Sequence, residues 1–232
     1  LTLGVRDEET EVNGEADEAS EVLWKLGANY AVSDFLSVYY NFAQGQTPSG
    51  QTVLVGTSLE RESVDSHDIG VYYVAANLSL GAAYFTYDYK NLVVGIDDPV
   101  TGLPKQVNYD EASISGFEFQ GEYTFNDAFS AYLTYGFNDA EYGKNDDVDG
   151  IINYEGNQYR FSPEFSYAVG VRFSTDKLRS TLSWNYIDDV FFEASNDPDT
   201  LQEGYGLLNA SVEYQVTDCL LYTSPSPRDK HR

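Results

Sequence analysis

Phe129-Ser-Ala-Tyr-Leu-Thr-Tyr-Gly-Phe-Asn138 is the stretch that decides the fold. Phe129, Ala131, Leu133, Tyr135 and Phe137 take every second position, and Ser130, Tyr132, Thr134, Gly136 and Asn138 fill the others. Successive side chains of a strand point to opposite sides, so this segment has one greasy face and one wet face. The same period recurs on both sides of it. Tyr167, Val169, Val171 and Phe173 alternate with Ala168, Gly170, Arg172 and Ser174. Leu208, Ala210, Val212 and Tyr214 alternate with Asn209, Ser211 and Glu213. Upstream, Phe117, Phe119, Tyr123 and Phe125 oppose Glu118, Gln120, Glu122 and Thr124, and Leu36, Val38, Tyr40 and Phe42 oppose Ser37, Tyr39, Asn41 and Ala43.

The connections alternate as well. Short turns fall at Val32-Ser-Asp34, Ala75-Ala-Asn77, Asn126-Asp-Ala128, Thr175-Asp-Lys177 and Val216-Thr-Asp218, built from the residues that favour tight turns. Between them lie long acidic connections rich in Gly, Asp and Asn, over residues 7–20, 45–61, 96–105, 141–158 and 193–203. A Greek-key sandwich breaks such strict alternation. An up-and-down transmembrane barrel produces it, with short turns in the periplasm and long loops outside. The fold expected is therefore all-β: about ten antiparallel strands of a transmembrane β-barrel, present here as an open curved sheet. Tyr30, Phe35, Phe125, Phe129 and Phe173 lie beside the short turns, and Tyr89, Tyr135, Phe137, Tyr186 and Phe191 toward the loops. These are read as the two interfacial girdles.

Composition narrows the function. A net charge of −25 argues against nucleic acid, which is bound by Lys and Arg neutralising phosphates. With 20 Tyr and 13 Phe the chain is too aromatic to be disordered. Its one cysteine, Cys219, lies in a tail, Cys219-Leu-Leu-Tyr-Thr-Ser-Pro-Ser-Pro-Arg-Asp229, that matches the translation of a transposon-end sequencing adapter. Residues 219–232 are accordingly expected to be non-native and irregular, leaving residues 1–218 as the barrel segment. His231 falls in the same tail, so His67 is the single histidine to consider, read as a loop or strand-entry residue just before Ile69. A nucleophile–base pair or a histidine-rich metal centre lacks its partners, and no enzyme is expected.

In order along the chain, several stretches resemble the barrel of TonB-dependent outer-membrane receptors. Leu1-Thr-Leu-Gly-Val-Arg6 is similar to the family's L-T-x-G-x-R strand. Asp34-Phe-Leu-Ser-Val-Tyr-Tyr-Asn-Phe-Ala-Gln-Gly45 is similar to D-x-L-S-L-Y-x-x-Y-x-x-G, with Phe42 at the second Tyr. Ala83-Tyr-Phe-Thr-Tyr-Asp-Tyr-Lys-Asn91 followed by Gly116-Phe-Glu118, and then Tyr205-Gly-Leu-Leu-Asn-Ala-Ser-Val-Glu-Tyr214, continue the likeness. Family members close about 22 strands around a plug. The resemblance implies a parent in the Gram-negative outer membrane that binds a scarce nutrient, a ferric siderophore above all. It would import it with energy from the TonB complex, through an N-terminal region and plug outside this chain. A passive porin is the alternative.

Two loop features bear on ligands. Tyr109, Tyr142, Tyr154, Tyr159 and Arg160 offer aromatic faces and a cation for an anionic iron chelate; the alternative is that they merely rim the barrel mouth. Asn145, Asp147 and Asp149, followed by Gly150, place oxygen ligands at alternate positions as in a calcium loop. Against calcium, the first position is Asn and the closing acid, Glu155, comes one residue early. No other cofactor is expected. Paired inward charges, Arg6, Lys25, Glu118, Glu122, Arg172, Arg179 and Glu213, are read as cross-strand or plug contacts. An isolated segment of this kind has two unpaired edges and a face that needs lipid, so it is not expected to be stable alone.

Overall fold

The computed structural model describes residues 1–8, 11–12, 15–16, 21–47, 59–97, 101–144, 153–217 and 220–223. Its strands, in chain order, are β1 (Thr2–Glu8), β2 (Glu11–Val12), β3 (Glu15–Ala16), β4 (Glu21–Ala31), β5 (Leu36–Gln46), β6 (Ser63–Val74), β7 (Leu78–Asp97), β8 (Pro104–Asn126), β9 (Phe129–Tyr142), β10 (Phe165–Ser174), β11 (Leu178–Ile187), β12 (Val190–Phe191), β13 (Leu201–Gln202), β14 (Tyr205–Thr217) and β15 (Leu220–Thr223). Eleven of them form one open sheet in the order β1-β4-β5-β6-β7-β8-β9-β10-β11-β14-β15, every pair antiparallel. Each strand lies beside its neighbour in sequence, apart from the two minor hairpins β2–β3 and β12–β13.

Through the middle of the sheet the register keeps the apolar alternation on one face. Leu133 pairs with Val169, Val169 with Trp184, and Trp184 with Leu208. The next row toward the loops on that face runs Phe119, Tyr135, Tyr167, Tyr186. Beyond it, Tyr40, Ile69, Tyr84, Phe117, Phe137 and Phe165 make an almost continuous aromatic belt over six strands. Among the described residues nothing covers this face. Leu133 is 41%, Val169 46% and Val212 51% exposed, values that exclude a sandwich interior and leave hydrocarbon as the medium they require.

The opposite face is polar and small. Arg172 donates to Glu122 at 2.7 Å and lies 4.1 Å over the Tyr132 ring, while Ser130 also donates to Glu122. Arg179 approaches its cross-strand partner Glu213 at 3.9 Å. Tyr132 lies flat across Gly170, and Tyr39 across Gly70, where any Cβ would collide with the ring. These glycines let an aromatic side chain lie along the lumen wall.

Several expectations change. The expected loop at 96–105 is strand at both ends: β7 and β8 stay paired from Leu92–Tyr109 out to Asp97–Pro104. His67 lies inside β6, on the apolar face, paired with Phe42 and Thr86, and its Nδ1 meets the Tyr40 hydroxyl at 2.8 Å. Tyr89 belongs to no girdle. It faces the lumen side, packed among buried residues, because it sits an odd number of positions from Tyr84 on the outer face. Leu220–Thr223, expected to be irregular, adds to β14 as a short strand after a register shift between Gln215 and Thr217. An open edge of unpaired N–H and C=O groups accepts any apolar, β-prone segment within reach.

Candidate functional site

The hydrophobic core of the described residues lies at the loop end of the sheet, where β7, β8 and β9 meet the long connections. Leu92, Val94, Tyr109, Ala112 and Tyr142 are buried together, and Tyr89, Val107, Tyr154, Tyr159 and Ala194 pack against them. Asn91 explains how Leu92 and Tyr109 get there. By simple alternation from Tyr84 and Phe117 both belong on the lipid side. Asn91 drops out of the ladder with φ of 53°, and beyond it the β7–β8 hairpin turns its apolar side onto Tyr142. Asparagine is among the few residues besides glycine that take this left-handed conformation readily.

The structure brings four of the five proposed ligand residues into one aromatic cluster. Tyr109 meets Tyr142 edge-on at 5.3 Å and stacks on Tyr154 at 6.4 Å; Tyr142 lies 4.9 Å from Tyr159. Tyr109 (0% exposed) and Tyr142 (1%) form the floor, and Tyr154 and Tyr159 are half-buried above it. The Tyr109 hydroxyl donates toward Asn153 Oδ1 and the Gly143 carbonyl, and accepts from the Tyr154 backbone N–H at 2.9 Å. The Tyr142 hydroxyl is buried with no hydrogen bond of good geometry, although the Arg160 backbone approaches it. Burial pushes its pKa up to about 12, with Tyr159 adding to the rise and the Arg160 charge opposing it. Burial likewise raises Tyr109, Tyr154 and Tyr159, so all four phenols are neutral at physiological pH.

Arg160, the fifth, is half-buried and reaches over the neighbouring Phe161 ring at 5.9 Å. Phe161 is held at φ of 60°, a conformation costing a bulky residue about 1–3 kcal/mol, and its ring packs on Phe192 at 5.5 Å. Asparagines that the sequence reading passed over hold the segments together. Asn108 exchanges hydrogen bonds with the Glu60 backbone at 2.7 and 3.0 Å and donates to the Asn91 carbonyl. Asn157 donates to the Ala194 carbonyl, and Asn196 bonds both the N–H and the carbonyl of Gln158. Their abundance in the loops was the available signal, since a side-chain amide can replace a strand partner for the backbone. The calcium candidates Asn145, Asp147 and Asp149 lie outside the described residues.

Antiparallel strands joined by short turns at one end and by mutually bonded connections at the other describe a barrel wall, and comparison fixes which kind. A family model described as TonB dependent receptor-like, beta-barrel, matches residues 1–224. The chain belongs to that family. It is a segment of a Gram-negative outer-membrane β-barrel, as the motif resemblance implied. The pesticin receptor of Yersinia enterocolitica is 26% identical over 208 residues, 85% of this chain and 29% of that protein. The pesticin receptor of Yersinia pestis is 25% identical over the same shares. The crystal structure of the ferric yersiniabactin uptake receptor from Yersinia pestis superposes with a TM-score of 0.74 at 23% identity, covering 89% of this chain and 32% of that one. The siderophore receptor PiuA from Acinetobacter baumannii gives 0.73 at 21% identity over 93% and 34%. The chain thus spans about a third of the length of these TonB-dependent relatives. They are named as receptors, none as an enzyme.

Proposed function

We propose that this chain is the barrel wall and loop layer of an outer-membrane receptor that binds a ferric siderophore and imports it with energy from the TonB complex. The observation that carries the proposal is the family match across residues 1–224, joined to an aromatic cluster among the loops. Names of similar proteins support iron chelates as the ligand class: one takes up ferric yersiniabactin, another is a siderophore receptor. Within the loop layer, Tyr154, Tyr159 and Arg160 form the ligand face, offering ring surfaces and one cation to an anionic chelate. Tyr109 and Tyr142, buried beneath it, hold the face from below.

Uptake of radioactive iron as phenolate, catecholate and hydroxamate chelates, by cells carrying the whole receptor, tests this. One chelate class is expected to be accumulated, and accumulation is expected to stop when the proton-motive force is collapsed. The double change Tyr159→Ala with Arg160→Ala should weaken binding of that chelate by roughly tenfold, about 1.4 kcal/mol. Uptake that continues without the proton-motive force would identify a passive channel instead.

A further inference from the structure

The lipid-facing wall is not evenly filled. Between β4 and β8 it carries a concavity of about 470 Å³ whose floor is Val38, Val71 and Ala82 and whose loop-side wall is Tyr40, Tyr84 and Phe117. The register explains the hollow: Tyr30, Val38, Val71 and Ala82 form one row of the outer face, and the bulky Tyr40–Ile69–Tyr84–Phe117 row stands beside it. Small side chains flanked by large ones leave space that no described residue fills. Tyr40 is fixed as a wall by its hydroxyl, which meets His67 Nδ1 at 2.8 Å.

We infer that this groove seats one acyl chain of a phospholipid of the periplasmic leaflet whose headgroup carries an ammonium group. The groove is continuous with the lipid-facing surface of the barrel, so its occupant is hydrocarbon. It lies near the short turns joining β4 to β5 and β6 to β7, which face the periplasm. Exposed Tyr30 stands at its end, and the adjoining turn carries Ser33 and Asp34 with no lysine or arginine in either turn. A carboxylate whose own turn holds no lysine or arginine receives an ammonium headgroup and repels a headgroup that is only anionic.

Native mass spectrometry of the detergent-solubilised whole receptor, titrated with dipalmitoyl phosphatidylethanolamine, tests the assignment. The wild type is expected to retain one lipid. Ala82→Leu fills the floor with an apolar side chain suited to the lipid face and should reduce retention by roughly fivefold or more. Ala210→Leu, on the same outer face beyond the groove, should retain the lipid as the wild type does. Should Ala82→Leu fail to fold, Val71→Phe fills the same floor and is read in its place. Equal retention by the filled variant and the wild type overturns the inference. So does equal retention of dipalmitoyl phosphatidylglycerol, or the appearance of a receptor dimer in place of the lipid-bound monomer.

Discussion

Tyr142 concentrates the tension between packing and polarity in the loop layer. Its ring touches Tyr109, Tyr154 and Tyr159, yet its hydroxyl is buried without a good partner. An unsatisfied buried hydroxyl carries a penalty of about 1–3 kcal/mol, so Tyr142→Phe should leave the whole receptor as stable or slightly more stable. Tyr142→Ala removes the ring contacts and should cost about 3–5 kcal/mol. Thermal unfolding of the two variants in detergent separates these outcomes. The pH dependence follows from the same burial. The folded state favours the neutral phenol, so this contribution is fully present below the ordinary phenol value of 10 and is lost as pH rises from 10 toward about 12. Alkaline absorbance titration should show a late-ionising tyrosine in the wild type that is missing from Tyr142→Phe.

At the scale of elements, the β7–β8 hairpin shows what was legible in the sequence and what was not. Alternation located both strands, their neighbours and the outer face, because the pattern of greasy and wet positions survives any local twist. Carried past Asn91 it would set Leu92 and Tyr109 on the outer face, since a single left-handed residue reverses the pattern beyond it and period alone carries no sign of that reversal. The same limit applied to Tyr89, whose nearness to the loops suggested a girdle while its parity put it inside. The tyrosine cluster was picked out by composition in the loops, but which rings form floor and which form face depends on contacts between segments far apart in the chain. Asn91 supplies the test. Asn91→Gly should be tolerated, whereas Asn91→Val should cost about 1–2 kcal/mol by forcing a β-branched residue to a positive φ. Limited proteolysis of the whole receptor should then cut the hairpin of Asn91→Val faster than that of Asn91→Gly.

For the whole molecule, the division of labour is between a wall and a lid. The wall is a single layer whose order is set by neighbours in sequence, with edges at β1 and β15 that the rest of a barrel would pair. Its apolar side depends on lipid, and its inner side relies on glycines and cross-strand charges. The lid is different in kind, because its connections pack on the buried cluster at the loop end of β7–β9. Glu60 is bonded to Asn108, Tyr109 to Tyr154, Asn157 to Ala194, Gln158 to Asn196, and Phe161 to Phe191. Those bridges join four connections that are far apart in sequence. Their amide protons should therefore exchange with deuterium at one shared rate-limiting opening, and loosening any one connection should speed exchange in the other three.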